Sequence, residues 1–255
     1  MIGAIAGDII GSRFEGHAAP PEGFELFHRD CRFTDDTVCT VAVADAIMCQ
    51  GDFAATLRAY VRRHPDAGYG GMFLRWALTD EAPAYGSWGN GAPMRVAAVG
   101  WLAADAAETD ALAAAQAEVS HNHEDAVKAA QSVARAILAL RQGATAAEVR
   151  EWIGDTWGYD LRPEVALRGG GFDVSAAGTV PPALAAAFES TDWEDAVRTA
   201  VCLGGDTDTL ACIAGAVAEA IHGVPAEIVM CARGHLTDDL RNVLGQFERV
   251  RVRTH

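Results

Sequence analysis

The segment GGDTDTLACIAGAVAEAI, residues 204–221, joins a short acidic opening to a long run of alanine and other apolar residues. Alanine has the highest intrinsic helix propensity, so this run predicts a helix that begins just after the two glycines. The segment FTDDTVCTVAVADAI, residues 33–47, repeats the arrangement. Together the two segments predict two apolar helices whose N-terminal ends carry closely spaced aspartates and threonines.

The composition extends this helical expectation to the whole chain. Half of the 255 residues are hydrophobic but only 7% are aromatic, so alanine, valine and leucine supply most of the apolar content. Helices are expected at about 36–50, 92–106 and 207–222, among others, and no stretch of strand length alternates with a period of two. Because no linker or repeat divides the sequence, we expect an all-α fold, a single compact orthogonal multi-helix bundle over residues 1–255.

Three glycines and several helix caps refine this expectation. Gly3, Gly7 and Gly11 lie four residues apart, on one face of a helix, and each costs about 1 kcal/mol relative to alanine. Close packing against another backbone would justify that cost. Residues 158–182 form the longest irregular stretch, with room for short helices, and a helix resumes at about 182. Further helix starts are predicted at Thr109-Asp110, at Thr145 with Glu148, and at Thr191-Asp192.

Charge and cysteine usage exclude some classes of function. A net charge of −15 argues against binding to a nucleic-acid backbone, which requires clustered lysine and arginine. The apolar opening of the chain is too short to span a bilayer, so no membrane partner is expected. The six cysteines form no CxxC pair, and five of them lie in or beside apolar helical runs. They are interpreted as reduced core thiols, which predicts a cytoplasmic protein.

The two acidic segments also have the chemistry of a metal site. Asp35, Asp36, Asp206 and Asp208 offer carboxylates, and the neighbouring threonines offer hydroxyls. These hard oxygen donors suit Mg²⁺ or Mn²⁺ and do not suit Zn²⁺. If the two sets faced each other, they would form a two-metal centre. The simpler alternative is that these residues only cap their helices, since aspartate and threonine are preferred there.

Two other segments carry candidate binding residues. The sequence AYGSWGNGAPMRVAAVGW, residues 84–101, is a glycine-rich loop that precedes a predicted helix, and its free N–H groups would suit a phosphate. A plain turn is the alternative. The sequence SHNHEDA, residues 120–126, places two histidines around an asparagine. Asn122 capping the next helix, with both imidazoles in solvent, is the alternative to a binding role.

Together, in this order, these features resemble the ADP-ribosylglycohydrolase family, which includes the hydrolase that reactivates ADP-ribosylated dinitrogenase reductase. The resemblance covers residues 3 to about 225. It is carried by GAIAGDIIGSRFEG, FTDDT, GSWGNGAPMRVAAVG, SHNHEDA, GTVPPALAAAF and GGDTDTLACIAGAVAEA.

The resemblance implies an all-α fold with a cleft that holds two Mg²⁺ ions, with Mn²⁺ as a possible substitute. By position in the family's motifs, the implied metal ligands are Thr34, Asp35, Asp36, Asp206, Asp208 and Thr209. The implied catalytic residues are Glu15, on a loop near the metals, Asp36 and Asp206. The implied substrate-binding residues are Gly86, Ser87, Trp88, Gly89, Asn90 and His121. Trp88, Tyr69, Phe172 and Tyr159 are the candidate rings for stacking on adenine.

The expected activity is Mg²⁺-dependent hydrolysis of the N- or O-glycosidic bond between ADP-ribose and an acceptor, with ADP-ribose as a product. The acceptor is a protein or a small molecule, with nucleic acid expected only as a modified substrate. An acidic cleft slightly favours arginine as the acceptor, because a guanidinium leaving group is cationic. The alternatives are a metal-dependent nucleotide-diphosphate phosphohydrolase and a non-catalytic ADP-ribose-binding protein.

Overall fold

The computed structural model describes residues 1–169 and 171–253, and within them the regular structure is helical. The only bridge between extended segments in that part of the chain is an isolated one, between Gly89 and Ser175. The predicted all-α fold class is therefore confirmed, whereas a single domain over residues 1–255 stays a prediction. The helices are α1 (Ile2–Gly11), α2 (Asp35–Cys49), α3 (Phe53–Arg63), α4 (Gly71–Leu78), α5 (Ala97–Leu102), α6 (Ala106–Glu118), α7 (Glu124–Arg141), α8 (Ala146–Trp157), α9 (Pro163–Ala166), α10 (Ala176–Phe188), α11 (Trp193–Cys202), α12 (Thr207–His222), α13 (Ala226–His235) and α14 (Asp238–Arg253).

The contact between α1 and α12 lies at the centre of the fold. A Cβ atom at Gly7 would overlap the carbonyl oxygen of Ala211, and one at Gly11 would overlap that of Thr207. The Thr207 hydroxyl also donates to the Gly11 carbonyl oxygen at 2.9 Å. The close backbone approach expected from the repeated glycines is confirmed. Since α1 also packs on α2, it holds the starts of α2 and α12 within one region of the protein.

Helix caps explain where several elements begin. Thr145 and Glu148 form a reciprocal capping box at the start of α8, and the Asp192 carboxylate caps α11, as predicted. The predicted start at Thr109 is wrong, because the Asp105 carboxylate accepts from the Glu108 N–H and begins α6 three residues earlier. A cap that satisfies a free N–H contributes about 1 kcal/mol, which is enough to fix such a boundary.

Two boundaries differ more substantially from the sequence prediction. The helix expected over 92–106 is reduced to α5, because residues 91–95 form turns before Val96. The irregular stretch expected over 158–182 contains α9 and the first half of α10, which begins at Ala176 and includes Pro181 and Pro182. The helix expected to resume at about 182 begins earlier, because the Ser175 hydroxyl caps it by accepting from the Gly178 N–H.

The structure tests the expectation that the cysteines are core thiols and the expectation that no segment spans a membrane. All six cysteines are free thiols, and Cys31, Cys39 and Cys212 are buried. Cys49 and Cys231 are exposed, so the interpretation of those two as core thiols is wrong, and Cys202 is only partly buried. None of the helices within residues 1–169 and 171–253 has the length and apolar character needed to cross a membrane.

Candidate metal and substrate site

Three carboxylates meet where α12 begins. Glu15, Asp206 and Asp208 each place one oxygen atom within 4.8 Å of the others. Asp206 and Asp208 are buried, whereas Glu15 is partly buried on the loop after α1. The Gly16 N–H donates to the Gly205 carbonyl oxygen at 2.9 Å, which holds this loop against the turn before Asp206. Three converging carboxylate oxygens are a donor set that fits a hard divalent cation.

Asp36 and Thr209 connect the two acidic segments. The Thr209 hydroxyl donates to Asp36 Oδ2 at 3.3 Å across the gap between α12 and α2. Asp36 is only 2% exposed, and its Oδ1 atom has no hydrogen-bond partner among the described residues. A buried carboxylate oxygen without a donor is costly, and a bound cation would satisfy it. The residues present therefore fit a metal ion on this side of the site as well.

Burial and mutual repulsion raise the pKa values of these acids. Burial, and then the charge of Asp8, raises the pKa of Asp35 to about 8. The pKa of Asp208 is raised well above its usual range by burial, and then by the charges of Asp36 and Asp206. The pKa of Glu15 is raised by burial and then by Asp206. A bound cation would offset the repulsion within such a cluster.

Asp8, which we had not singled out from the sequence, organises the start of α2. Its carboxylate accepts from the Thr34 N–H at 2.9 Å and the Thr34 hydroxyl at 2.7 Å, and also from the N–H and hydroxyl of Thr37. The Thr34 oxygen in turn accepts from the Asp36 N–H as the helix cap. Thr34 therefore has only one lone pair left for its predicted role as a metal ligand. The motif GDIIGS contains no local sign of this long-range contact.

Of the metal-ligand candidates, all but Thr34 line a cavity of about 630 Å³. Of the predicted substrate-binding residues, Ser87, Gly89, Asn90 and His121 line it, whereas Gly86 and Trp88 do not. Of the candidate aromatic rings, Phe172 lies at the cavity and is 58% exposed. Tyr69 is 9% exposed, Trp88 is 52% exposed outside the lining, and Tyr159 lines two other grooves. Phe172 is therefore the candidate ring that this cavity offers.

The glycine-rich loop does not present all of its N–H groups. The Gly86 N–H donates to Asn122 Oδ1 at 2.7 Å, the Gly89 N–H to the Ser87 hydroxyl at 3.2 Å, and the Asn90 N–H to a backbone carbonyl at 2.9 Å. Since α5 begins only at Ala97, the loop does not lead directly into a helix. The expected phosphate cradle is therefore wrong for these three amides.

Asn90 contacts the acid cluster directly. Its amide nitrogen donates to Asp206 Oδ2 at 2.6 Å and to the Thr179 hydroxyl at 3.1 Å. This bond orients Asp206 and leaves its other oxygen for a ligand. The sequence analysis predicts Asn90 as a substrate-binding residue. In the structure it also donates to Asp206, which is a predicted metal ligand. Such a bond orients a ligating carboxylate without contacting the metal itself.

His121 is a buried cavity residue, not a solvated imidazole. It is 5% exposed, between the rings of Phe73 and Tyr85 at centroid distances of 5.9 and 5.8 Å. Burial, and then the charge of Arg95, holds its pKa well below the usual range, so the imidazole is neutral. The alternative of Asn122 as a cap is wrong, because His123 caps α7 and Asn122 accepts from Gly86.

Comparisons with known proteins bear on the fold and the family of this chain. The ADP-ribosylarginine hydrolase Tri1 of Pseudomonas putida (strain GB-1) is 26% identical over 261 residues, an alignment that covers 88% of this chain and 70% of that protein. A solved structure of an ADP-ribosylglycohydrolase-related protein complex superimposes with a TM-score of 0.77 at 24% identity. The superposition covers 98% of this chain and 97% of the other chain. At that identity the similarity shows the fold alone. The family model described as ADP-ribosylglycohydrolase matches residues 1–252, and the chain therefore belongs to the ADP-ribosylglycohydrolase family.

Proposed function

We propose that this protein is a Mg²⁺-dependent hydrolase that releases ADP-ribose from an arginine-linked acceptor. Membership of the family gives the coarser activity, hydrolysis of ADP-ribosyl linkages. The observation that supports metal dependence is the convergence of Glu15, Asp206 and Asp208, whose oxygen atoms lie within 4.8 Å of one another and form a donor set that fits a divalent cation. The resemblance to an ADP-ribosylarginine hydrolase and the carboxylates that line the cavity support arginine as the acceptor.

The proposed ligands are Asp206, Asp208 and Thr209 on α12, with Thr34, Asp35 and Asp36 at the start of α2. These two sets would hold two Mg²⁺ ions, which Mn²⁺ could replace. When bound, the ions would orient the ribose hydroxyls and lower the pKa of a water molecule. The Asn90 amide keeps Asp206 oriented through its 2.6 Å bond, and Asp8 keeps Thr34 in place through two hydrogen bonds.

Glu15 is our candidate for moving protons. It lines the cavity and remains partly exposed, and burial, followed by the charge of Asp206, raises its pKa above the ordinary value for glutamate, which favours a role in proton transfer. In the overall reaction the bond between C1″ of the ribose and the acceptor breaks, and C1″ gains a hydroxyl from water. The water's second proton leaves with the acceptor. Asp36 is the other candidate, but it is 2% exposed.

The substrate lies along the cavity in this proposal. The distal ribose faces the carboxylates, and the exposed ring of Phe172 is the proposed stacking partner of the adenine. Ser87, Gly89 and His121 would contact the groups between them. The predicted cytoplasmic location stays a prediction.

A panel of ADP-ribosylated acceptors, incubated with Mg²⁺ or with EDTA, tests the proposal. We expect Mg²⁺-dependent release of free ADP-ribose, fastest from arginine, and loss of more than a hundredfold in rate with Asp208→Asn. Asp238→Asn is the matched control, since that side chain is 95% exposed on α14. Release of AMP instead would indicate a phosphohydrolase, and tight ADP-ribose binding without turnover would indicate a binding protein. Release only from serine would exclude the arginine preference.

A further inference from the structure

A chain of buried side chains leads from Arg95 to His121. Arg95 is fully buried, and its Nε and Nη2 atoms donate to the side-chain and backbone oxygens of Gln116, both at 2.6 Å. Nη2 also donates to the Ser120 hydroxyl oxygen at 3.1 Å. The same oxygen lies 2.8 Å from His121 Nδ1. The Gln116 amide nitrogen donates to the carbonyl oxygens of Ala92 and Ala113, which anchors the inner end of the chain.

The donors and acceptors in this chain determine where the hydrogens lie. A guanidinium group has only donors, so the Ser120 oxygen accepts from Arg95. The Ser120 hydroxyl hydrogen then needs an acceptor, and in the described part of the chain His121 Nδ1 is the one within reach. If Nδ1 carried the hydrogen, the fully buried hydroxyl of Ser120 would have no acceptor. That penalty is on the order of tenfold or more in the equilibrium between the two tautomers.

We infer that Arg95 and Ser120 are positioning residues that hold neutral His121 as the Nε2–H tautomer, so that it donates a hydrogen bond to an oxygen of the bound substrate. This inference rests on the proposed function for the identity of the ligand, an ADP-ribosyl group with phosphate or ribose oxygens. His121 lines the cavity, and its Nε2 has no hydrogen-bond partner within residues 1–169 and 171–253. The geometry of the hydrogen-bonded side chains from Arg95 to His121 does not depend on any bound metal.

Two neighbours keep the ring in place for this task. The Phe73 and Tyr85 rings contact it, and a Cβ atom at Gly91 would come within 2.6 Å of Nε2. Only glycine at position 91 leaves that space free. Arg95 is the only arginine or lysine side chain that lines this cavity among the described residues, and it lies beside the Phe73 ring. The cavity therefore offers, besides its carboxylates, a neutral hydrogen-bond donor, His121, whose partner Ser120 accepts from a cation.

Long-range proton–nitrogen correlation spectra of histidine-labelled protein test the tautomer directly, with His121→Asn used to assign the signal. We expect an unprotonated Nδ1 and a protonated Nε2 in the wild-type protein. Ser120→Ala removes the hydroxyl and should give a mixture of tautomers, with ADP-ribose binding weakened about fivefold. Ser132→Ala is the matched control, because that buried serine donates to a carbonyl within its own helix.

The outcomes separate this inference from the proposed function. A wild-type protein with a protonated Nδ1 overturns the inference, as does a Ser120→Ala protein with an unchanged tautomer. Unchanged ADP-ribose affinity in Ser120→Ala overturns it too, whatever the spectrum shows. If no ADP-ribosylated acceptor is hydrolysed while the tautomer and the affinity change as expected, the proposed function fails and the assignment of Arg95 and Ser120 stands.

Discussion

Replacement of Gly7 by alanine should destabilise the protein, although alanine is the better helix former. Gly7 lies in the middle of α1, and its missing side chain lets the Ala211 carbonyl of α12 approach. A Cβ atom there would overlap that carbonyl oxygen and its carbon atom. These are backbone atoms of a buried helix, so the overlap cannot be relieved by rotating a side chain.

The two opposing effects can be compared in magnitude. Greater helix propensity would raise the free energy of unfolding by about 1 kcal/mol. Overpacking of a dense core typically lowers it by about 1–3 kcal/mol, and here the relief requires α1 and α12 to separate along their contact at Gly3 and Gly11 as well. We therefore expect a loss near the upper end of that range, about 3 kcal/mol, and a net loss of about 2 kcal/mol, which corresponds to a fall in Tm of roughly 4–8 °C for a chain of this length.

Urea denaturation followed by circular dichroism in EDTA measures this change without a contribution from bound metal. Gly245→Ala is the matched control: Gly245 lies inside α14, and its added Cβ would meet only Arg249 Nη1, at 3.7 Å. That control should gain up to about 1 kcal/mol. If Gly7→Ala is as stable as the wild type, or more so, the argument that backbone contact requires glycine at position 7 is wrong.

Three further predictions concern the acid cluster and one cap. In EDTA the Tm should fall as the pH rises from about 5 to about 8.5, because burial raises the pKa of Asp35 from 3.8 to about 8 and that of Asp8 to about 6. The folded state then binds more protons than the unfolded state across this range, so the free energy of unfolding decreases as the pH rises. Added Mg²⁺ should make the fall in Tm, measured by calorimetry, smaller. Asn90→Ala should weaken Mg²⁺ binding about tenfold in titration calorimetry, because it removes the hydrogen bond to Asp206. Thr145→Ala should lower the free energy of unfolding by about 1 kcal/mol in urea, since it removes the capping box of α8, and should leave turnover unchanged.

Each of these three has a matched control or a result that contradicts it. A Tm in EDTA that stays constant or rises with pH would contradict the assigned pKa shifts. Asn242→Ala changes an exposed residue on α14 and should leave Mg²⁺ binding unaltered. If the Asn90→Ala protein binds Mg²⁺ as tightly as the Asn242→Ala protein, the proposed role of Asn90 is wrong. Thr156→Ala lies in the same helix as the cap but is exposed, so it should alter stability by less than about 0.5 kcal/mol.

Local sequence signals were sufficient for most of the helices and insufficient at two points. The alanine-rich run after Asp206 predicts α12 well, because propensity and burial agree there. The helix expected from about 182 begins at Ala176, because its cap, Ser175, lies several residues upstream of the predicted start. Residues 92–95 were expected to be helical but form turns, so tertiary context overrides propensity before α5.

For the candidate site, the sequence indicates which residue types are present but not how they contact one another. The acids of both motifs lie close together, as the resemblance implied, and whether they bind two ions stays a prediction. Asp8 and Ser120 could not be identified, because each acts on another candidate residue through a fold-dependent contact. The burial of His121 could not be predicted from the sequence either, because its neighbours Asn122 and His123 are at least partly accessible to solvent.

The contact between α1 and α12 also has a consequence for when the site can form during synthesis. The bond from Thr207 to Gly11 joins positions 196 residues apart, so α1 lacks its principal partner until the ribosome has made α12. Contacts of such long sequence separation carry a large loop-closure cost and slow folding. The acids at the start of α2 therefore cannot come together with those of α12 until late in translation. A nascent chain that stops short of Gly204 holds half of the site and cannot complete it.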